Sequence, residues 1–382
     1  MSSSVFERLY YHAILSSLLV KVPYWLLRYL IPSSRPRSSW TIRKTITVLV
    51  VRFLFTSVGR GIKIVRPFPT YRKLETGRGV QGIYVDGIPE LVTGKLKDFA
   101  TQAGVKPVRI PCYWIQKKGL EASSIPTPET ASATISESEK VVLYLHGGSY
   151  VHFSAHPEQS TSSIPKAMLR ACPKTAGAFP SALLDALAGY AYLINSLGYK
   201  PEQVVVAGDS AGGNLGHALV RYLVEYQGSD VVPALPLPPG ALCMFSPWVD
   251  MSGSHSSPTS SVFTNAKSDY IGIETPFKVD APPAFVAAFG ERLAFETPYL
   301  SPACKVLDDV SFKGFPKTFI TAGDAEVLLD QIRIFKDRIT KELGPEKVFY
   351  LEAKDACHDW LCFPFMQPEN DITRQALAKF LA

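Results

Sequence analysis

Two rhythms of apolar and polar residues run along this chain, and one gives way to the other near residue 80. Beyond that point, short aliphatic runs alternate with longer stretches whose apolar positions recur every three or four residues. Lys140-Val141-Val142-Leu143-Tyr144-Leu145, Gln203-Val204-Val205-Val206-Ala207, Ala241–Phe245, Thr318–Thr321 and Lys347–Leu351 read as buried strands, being continuous in apolar character and too short for helices. Between them Ser163–Ala171, Ser181–Ser196, Asn214–Tyr226 and Leu328–Leu343 read as helices. The alternation predicts an α/β fold, a mostly parallel sheet with helices on both faces. Val108–Ile115 adds an early strand, and the Ser/Thr/Pro/Glu-rich tract Glu121–Glu139 after it reads as a loop. Between Asp250 and Leu300 the pattern loosens into Ser, Pro and aromatics, as an insertion would.

Residues 1–80 follow the other rhythm. Leu9–Val20, Val22–Ile31 and Thr45–Phe55 are apolar runs separated or broken by Lys21, Arg28 and Arg52. None reaches the roughly 18–20 uninterrupted residues of a membrane span. Charge sharpens the division: the net +6 of the chain arises because residues 1–80 hold 14 Lys and Arg against two Glu, which leaves −6 for the rest. A basic, aromatic, interrupted apolar pattern suits helices lying in a membrane interface, or a tilted span with snorkelling ends. A cap helix packed over a site is the alternative, because it also needs an apolar face. The location expected is membrane-associated, the endoplasmic reticulum being one candidate, with the cytoplasm as the alternative. No secretory cleavage site follows the first apolar run. Nucleic acid is a poor partner, since the basic residues alternate with aliphatics and form no polar stripe.

At 382 residues the chain suits one α/β domain with insertions, residues 81–382, behind the basic segment 1–80. Six cysteines show neither paired metal spacing nor a disulfide framework, so free buried thiols, no metal and no cofactor are expected.

Two motifs carry chemistry. Gly208-Asp209-Ser210-Ala211-Gly212 joins a strand to a helix, as a nucleophile elbow does, with glycines flanking a serine in a sharp turn. His146-Gly147-Gly148 follows another strand directly, and backbone N–H groups there can face an oxyanion. With Phe245-Ser246-Pro247-Trp248-Val249-Asp250 and Tyr299-Leu300-Ser301-Pro302 in the same order, residues 80–382 resemble the hormone-sensitive-lipase-like branch of the α/β-hydrolases, which includes arylacetamide deacetylases. The resemblance implies a carboxylic ester hydrolase with a helical cap inserted around residues 250–300. One departure stands out. The family carries a central strand between the oxyanion-loop helix and the Phe-Pro-x-Ala-Leu helix start, whereas here Cys172 runs through Pro173–Ala178 directly to Phe179-Pro180-Ser181. A strand with two connections needs on the order of 15 residues. One central strand is therefore expected to be missing, with a shift of register or a gap beside the elbow strand.

Ser210 is the candidate nucleophile and requires a base. Among seven histidines His358 has the strongest position, after the last strand and at the carboxyl edge of the sheet, in the order nucleophile, acid, histidine. His217, about two helical turns past the elbow, reads as packing. The family pattern implies Glu326 as the acid, in Glu326-Val327-Leu328-Leu329-Asp330, with Asp324 as the alternative. Gly147, Gly148 and Ala211 are the expected oxyanion donors, His146 shapes their loop, and Asp209 has either a turn-building or a substrate role. The leading reading is an acyl-enzyme esterase acting on small apolar esters that partition to membranes, with residues 1–60 meeting the membrane surface. The other reading is a catalytically impaired binding or membrane-associated relative.

Overall fold

The alternation of strands and helices folds as one parallel ladder in a computed structural model of the chain. It describes residues 2–59, 74, 76–77, 80–115, 125–131, 135–150, 154–156, 162–168, 172–173, 179–230, 234–271 and 285–382. Helices α1 (Ser2–Arg28) and α2 (Ile42–Gly59) come first. Strands β1 (Thr76–Gly77) and β2 (Val80–Val85), helix α3 (Gly94–Ala103) and strand β3 (Ile110–Trp114) follow. The second part of the chain then runs β4 (Val141–Leu145), α4 (Ser163–Met168), β5 (Cys172–Pro173), α5 (Ser181–Ala191), β6 (Val204–Asp209) and α6 (Ala211–Glu225). It closes with β7 (Ala241–Phe245), the short helices α7 (Ser261–Thr264) and α8 (Leu293–Glu296), β8 (Lys317–Gly323), α9 (Leu329–Leu343), β9 (Val348–Ala353) and α10 (Glu369–Leu381).

Five strands pair in parallel in the order β4-β6-β7-β8-β9. The register sets Leu145 opposite Gly208, Asp209 opposite Phe245 and Phe245 opposite Thr321, so three carboxyl ends lie level. In open parallel sheets that edge is where ligands bind. Leu215, Ala218, Leu219, Tyr222 and Leu223 of α6 recur at helical spacing and are buried in one core with Leu145, Val206, Leu242 and Met244. Each such leucine contributes roughly 2–5 kcal/mol relative to alanine, which anchors the elbow from behind.

The expected loss of a central strand is not confirmed. β6 has neighbours on both sides, so no gap lies beside the elbow strand. A second, antiparallel ladder, β1-β2-β3-β5, stands apart, and no strand pairing joins the two ladders among the described residues. The two-residue β5 pairs Cys112 with Pro173 and Tyr113 with Cys172 and lies against β4. It occupies the border between the ladders, while residues 174–178 lie outside the described residues.

The two N-terminal helices differ in their contacts. Around α2, Trp40 and Val48 are buried, Lys44 meets Glu369 at 2.8 Å, and Arg52 donates to the Ala266 carbonyl at 2.5 Å. Trp40 donates to the Asp355 carbonyl at 3.1 Å, and Phe55 packs edge-on against Tyr270 at 5.1 Å. α2 thus packs on the α/β domain through these contacts. α1 touches α2 through Trp25 and Lys21 against Phe53, and Leu19, Val20 and Leu27 stay 75–79% exposed. Among the described residues no helix is long and apolar enough to cross a membrane.

Candidate active site

Ser210 sits between β6 and α6 with φ 52° and ψ −119°, a conformation costly for a residue with a side chain. The surroundings hold it there: its N–H donates to the Phe245 carbonyl and its own carbonyl accepts from the Trp248 N–H, both at 2.9 Å. The flanking glycines are required by space. A Cβ on Gly208 would strike the Gly212 carbonyl, and one on Gly212 would strike the Leu145 carbonyl. The turn therefore closes only with glycine on both sides of the serine.

The loop after β9 brings His358 to the same edge, and the loop after β8 brings Glu326. His358 Nδ1 lies 3.3 Å from Glu326 Oε2, and both side chains are almost fully buried. Asp324 faces away: its carboxylate accepts the Asp355 N–H at 2.7 Å and lies 3.5 Å from Arg37. The other ring nitrogen, His358 Nε2, lies 3.1 Å from Asp359 Oδ2, and no hydrogen bond joins the ring to Ser210 Oγ among the described residues. Ser210, His358 and Asp359 share the wall of a cavity of about 300 Å³ with Phe55, Trp248, Met251 and Ile271. That volume lies at the lower end for small-molecule sites.

The oxyanion loop departs from expectation in one respect. The Gly147 N–H, expected to face an oxyanion, donates instead to Asp209 Oδ1 at 2.9 Å. Asp209 is fully buried and also takes the Tyr144 hydroxyl, so its role is to tie the end of β6 to the loop after β4. Among the described residues no acceptor meets the N–H groups of Gly148, Ser149 and Ala211. Gly148 and Ser149 carry positive φ, 113° and 54°, and both line the cavity. His146 Nδ1 lies 2.6 Å from the Gly147 carbonyl, consistent with shaping that turn.

The fold resembles solved esterases. The alpha/beta hydrolase fold family matches residues 142–362, more than half of the chain. The chain belongs to the α/β-hydrolase fold family. An acetyl-hydrolase of Streptomyces hygroscopicus is 29% identical over 255 residues, 63% of this chain and 75% of its own. Esterase LipU of Mycobacterium tuberculosis is 28% identical over 251 residues, 63% of this chain and 77% of its own. Among solved structures, the hormone-sensitive-lipase homologue EstE7 from a metagenome library superposes with TM-score 0.57 at 20% identity, covering 88% of this chain and 97% of its own. An esterase/lipase from an uncultured bacterium gives TM-score 0.55 at 22% identity, covering 87% and 97%.

In this α/β-hydrolase the electrostatics of the edge are acid-rich. Burial raises Glu326 to about 7 even though His358 donates to it. Burial opposes charge on the His358 ring, but Asp359 and then Glu326 outweigh it, and the ring is held protonated well above the usual histidine range. Burial and then the Asp359 charge push Asp209 well above the ordinary carboxylate range. Asp269, which the sequence did not reveal, accepts the N–H groups of Val327 and Tyr270 at 2.8 Å and of His358 at 3.2 Å. It pins the acid loop and the histidine loop together from the segment after α7, and no local motif marks it. His217 is fully buried among Phe312, Phe315 and Phe335, and burial, then Arg221, hold it well below the usual range and neutral. The packing role expected of it is what this surrounding allows. His255, without a positional argument in the sequence, lines the cavity wall with Nε2 2.9 Å from the Ala303 carbonyl. His152 lies outside the described residues.

Proposed function

We propose that the protein is a serine carboxylic ester hydrolase in which Ser210 attacks the ester carbonyl, His358 takes its proton and Glu326 fixes the tautomer of the ring. One observation carries this reading. Three separate segments, the elbow serine at positive φ, the histidine loop and the glutamate loop, meet at one largely apolar cavity. The free N–H groups of Gly148, Ser149 and Ala211 supply the oxyanion hole, each donor being worth about 3 kcal/mol in the transition state. Attack gives a tetrahedral intermediate that expels the alcohol, protonated by His358, and leaves an acyl-serine. Water, deprotonated by the same ring, then releases the acid. The names of the relatives, an acetyl-hydrolase and esterases, point to the same chemistry.

The substrate is a small apolar ester, because Phe55, Trp248, Met251 and Ile271 line the cavity. Exposed leucines on α1 beside Lys21 and Arg28 favour a protein that works at a membrane surface through residues 1–60. Purified protein is expected to hydrolyse short-chain aryl esters and to be labelled by a fluorophosphonate, and Ser210→Ala to lose both; equal turnover by the two proteins would sink the assignment. Co-sedimentation with vesicles containing anionic lipid is expected for the full chain and lost on removing residues 1–31.

A second reading, an impaired relative, draws on the contact of His358 Nε2 with Asp359 in place of Ser210. Absence of fluorophosphonate labelling at every pH would favour it.

A further inference from the structure

The carboxylate that touches His358 at Nε2, the ring nitrogen away from Glu326, belongs to the next residue in the chain. Asp359 lies at φ 45° and ψ 42°, in the left-handed region, and its N–H donates to Ser246 Oγ at 3.2 Å. This turn folds the side chain back over the preceding ring, so Oδ2 reaches Nε2 at 3.1 Å. The Asp359 side chain is 6% exposed and its Oδ1 has no hydrogen-bond partner, so the carboxylate has no competing engagement among the described residues. It lines the same cavity as Ser210.

Resting on the assignment of Ser210 and His358 above, we propose that Asp359 is a positioning residue for the catalytic base: it competes with Ser210 Oγ for His358 Nε2 and sets the pH at which the serine becomes reactive. The chemistry follows from counting protons. With Nδ1–H donating to Glu326 and Nε2–H paired with the Asp359 carboxylate, the ring carries both of its protons and has no lone pair for the serine. Before attack, one proton leaves Nε2, either to Asp359 Oδ2, giving a neutral carboxylic acid, or through the cavity to water. The bare Nε2 then accepts the Ser210 proton as Oγ bonds to the carbonyl carbon. Other groups face the ring as well. They are Glu326 from the loop after β8, Asp269 and Tyr270 from the segment after α7, and Asp209 from the end of β6. Of these, Glu326 favours a protonated ring, while burial keeps the Tyr270 hydroxyl neutral and raises Asp209 and Asp269.

The test is the pH profile of kcat/KM on a short-chain aryl ester, with fluorophosphonate labelling rates alongside, for the wild type, Asp359→Asn and Asp359→Ala. Both variants are expected to move the acid limb down by at least about one pH unit, so that hydrolysis below that limb rises about tenfold. An active variant with an unmoved limb would overturn the role, as would a loss equal at every pH, which is what a purely structural residue gives. A measurement on the unaltered protein does not depend on variant folding. In the 15N-histidine-labelled chain, with His358 assigned by loss of its signal in His358→Gln, both ring nitrogens are expected to be protonated at pH 7.5, and a bare Nε2 there would overturn the proposal. Wild-type protein inert to ester and fluorophosphonate at every pH would instead remove the serine-hydrolase reading, and with it this role.

Discussion

Two histidines of this molecule are almost equally buried, yet one is held protonated and the other neutral. His358 is 3% exposed at the carboxyl edge of the sheet, and His217 is 0% exposed behind it, between α6 and a cluster of phenylalanines. Burial alone pushes both toward neutrality. At His217 it prevails, helped by Arg221, whose Nη2 lies 3.3 Å from Nε2. At His358 it is outweighed, because Asp359 and Glu326 hold one ring nitrogen each. Depth therefore does not decide the charge of a histidine here; the partners its loop has gathered do.

The comparison can be broken most forcefully at the edge. His358→Gln is expected to lower kcat by about 10³-fold or more with the far-ultraviolet circular dichroism unchanged, since general-base loss in a triad has that order of cost. Survival of the wild-type rate would mean that the charged histidine is structural after all. Glu326→Gln is expected to cost about 10²–10⁴-fold while Asp324→Asn costs less than about threefold, because only Glu326 reaches the ring. The smallest expected effect lies at His217. Replacement by Phe removes both an acceptor for Arg221 and the unpartnered buried Nδ1, so turnover is expected to hold within about twofold and stability within about 1 kcal/mol in urea.

Stability against pH sharpens the same contrast, with opposite signs at the two sites. The folded state raises His358, so its contribution is complete below about pH 6.5 and is lost as pH climbs through the folded value. It depresses His217, so the wild type loses stability as pH falls below about 6.5, by up to about 1.4 kcal/mol per unit. Urea denaturation between pH 5 and 7 is expected to show that acid-side loss reduced in His217→Phe.

How much of this was legible in the sequence depends on how local each cause is. The strands of the parallel ladder were, since Val204–Val206 and Ala241–Phe245 are short, apolar and β-rich and are buried throughout. The elbow was also legible, because the clash that requires Gly208, against the Gly212 carbonyl, lies within five residues of chain, although the one that requires Gly212 comes from Leu145 on another strand. The acid needed the spacing of Glu326 to Asp330, and the fold turns Glu326 toward His358 and Asp324 toward Arg37. Three features were not legible. Asp269 reaches His358 across 89 residues of chain, Gly147 gives its N–H to Asp209 across 62, and Arg37 donates to the Asp324 carbonyl across 287. Partnerships at such separations leave no periodicity to read. The split of the sheet into two ladders belongs with them, because pairing depends on which edges meet.

Phe55 gives the boundary near residue 80 a practical meaning. It belongs to α2, outside the 142–362 stretch that the family covers, yet it lines the cavity and packs on Tyr270. Arg37, ahead of the same helix, donates to the carbonyl of Asp324, two residues before Glu326. A shortened protein beginning at residue 81 would keep Ser210, Glu326 and His358 but lose a wall of the cavity and a clamp on the acid loop. Comparing its substrate range with that of the full chain would measure how far the N-terminal helices choose the substrate, rather than merely carrying the enzyme to it.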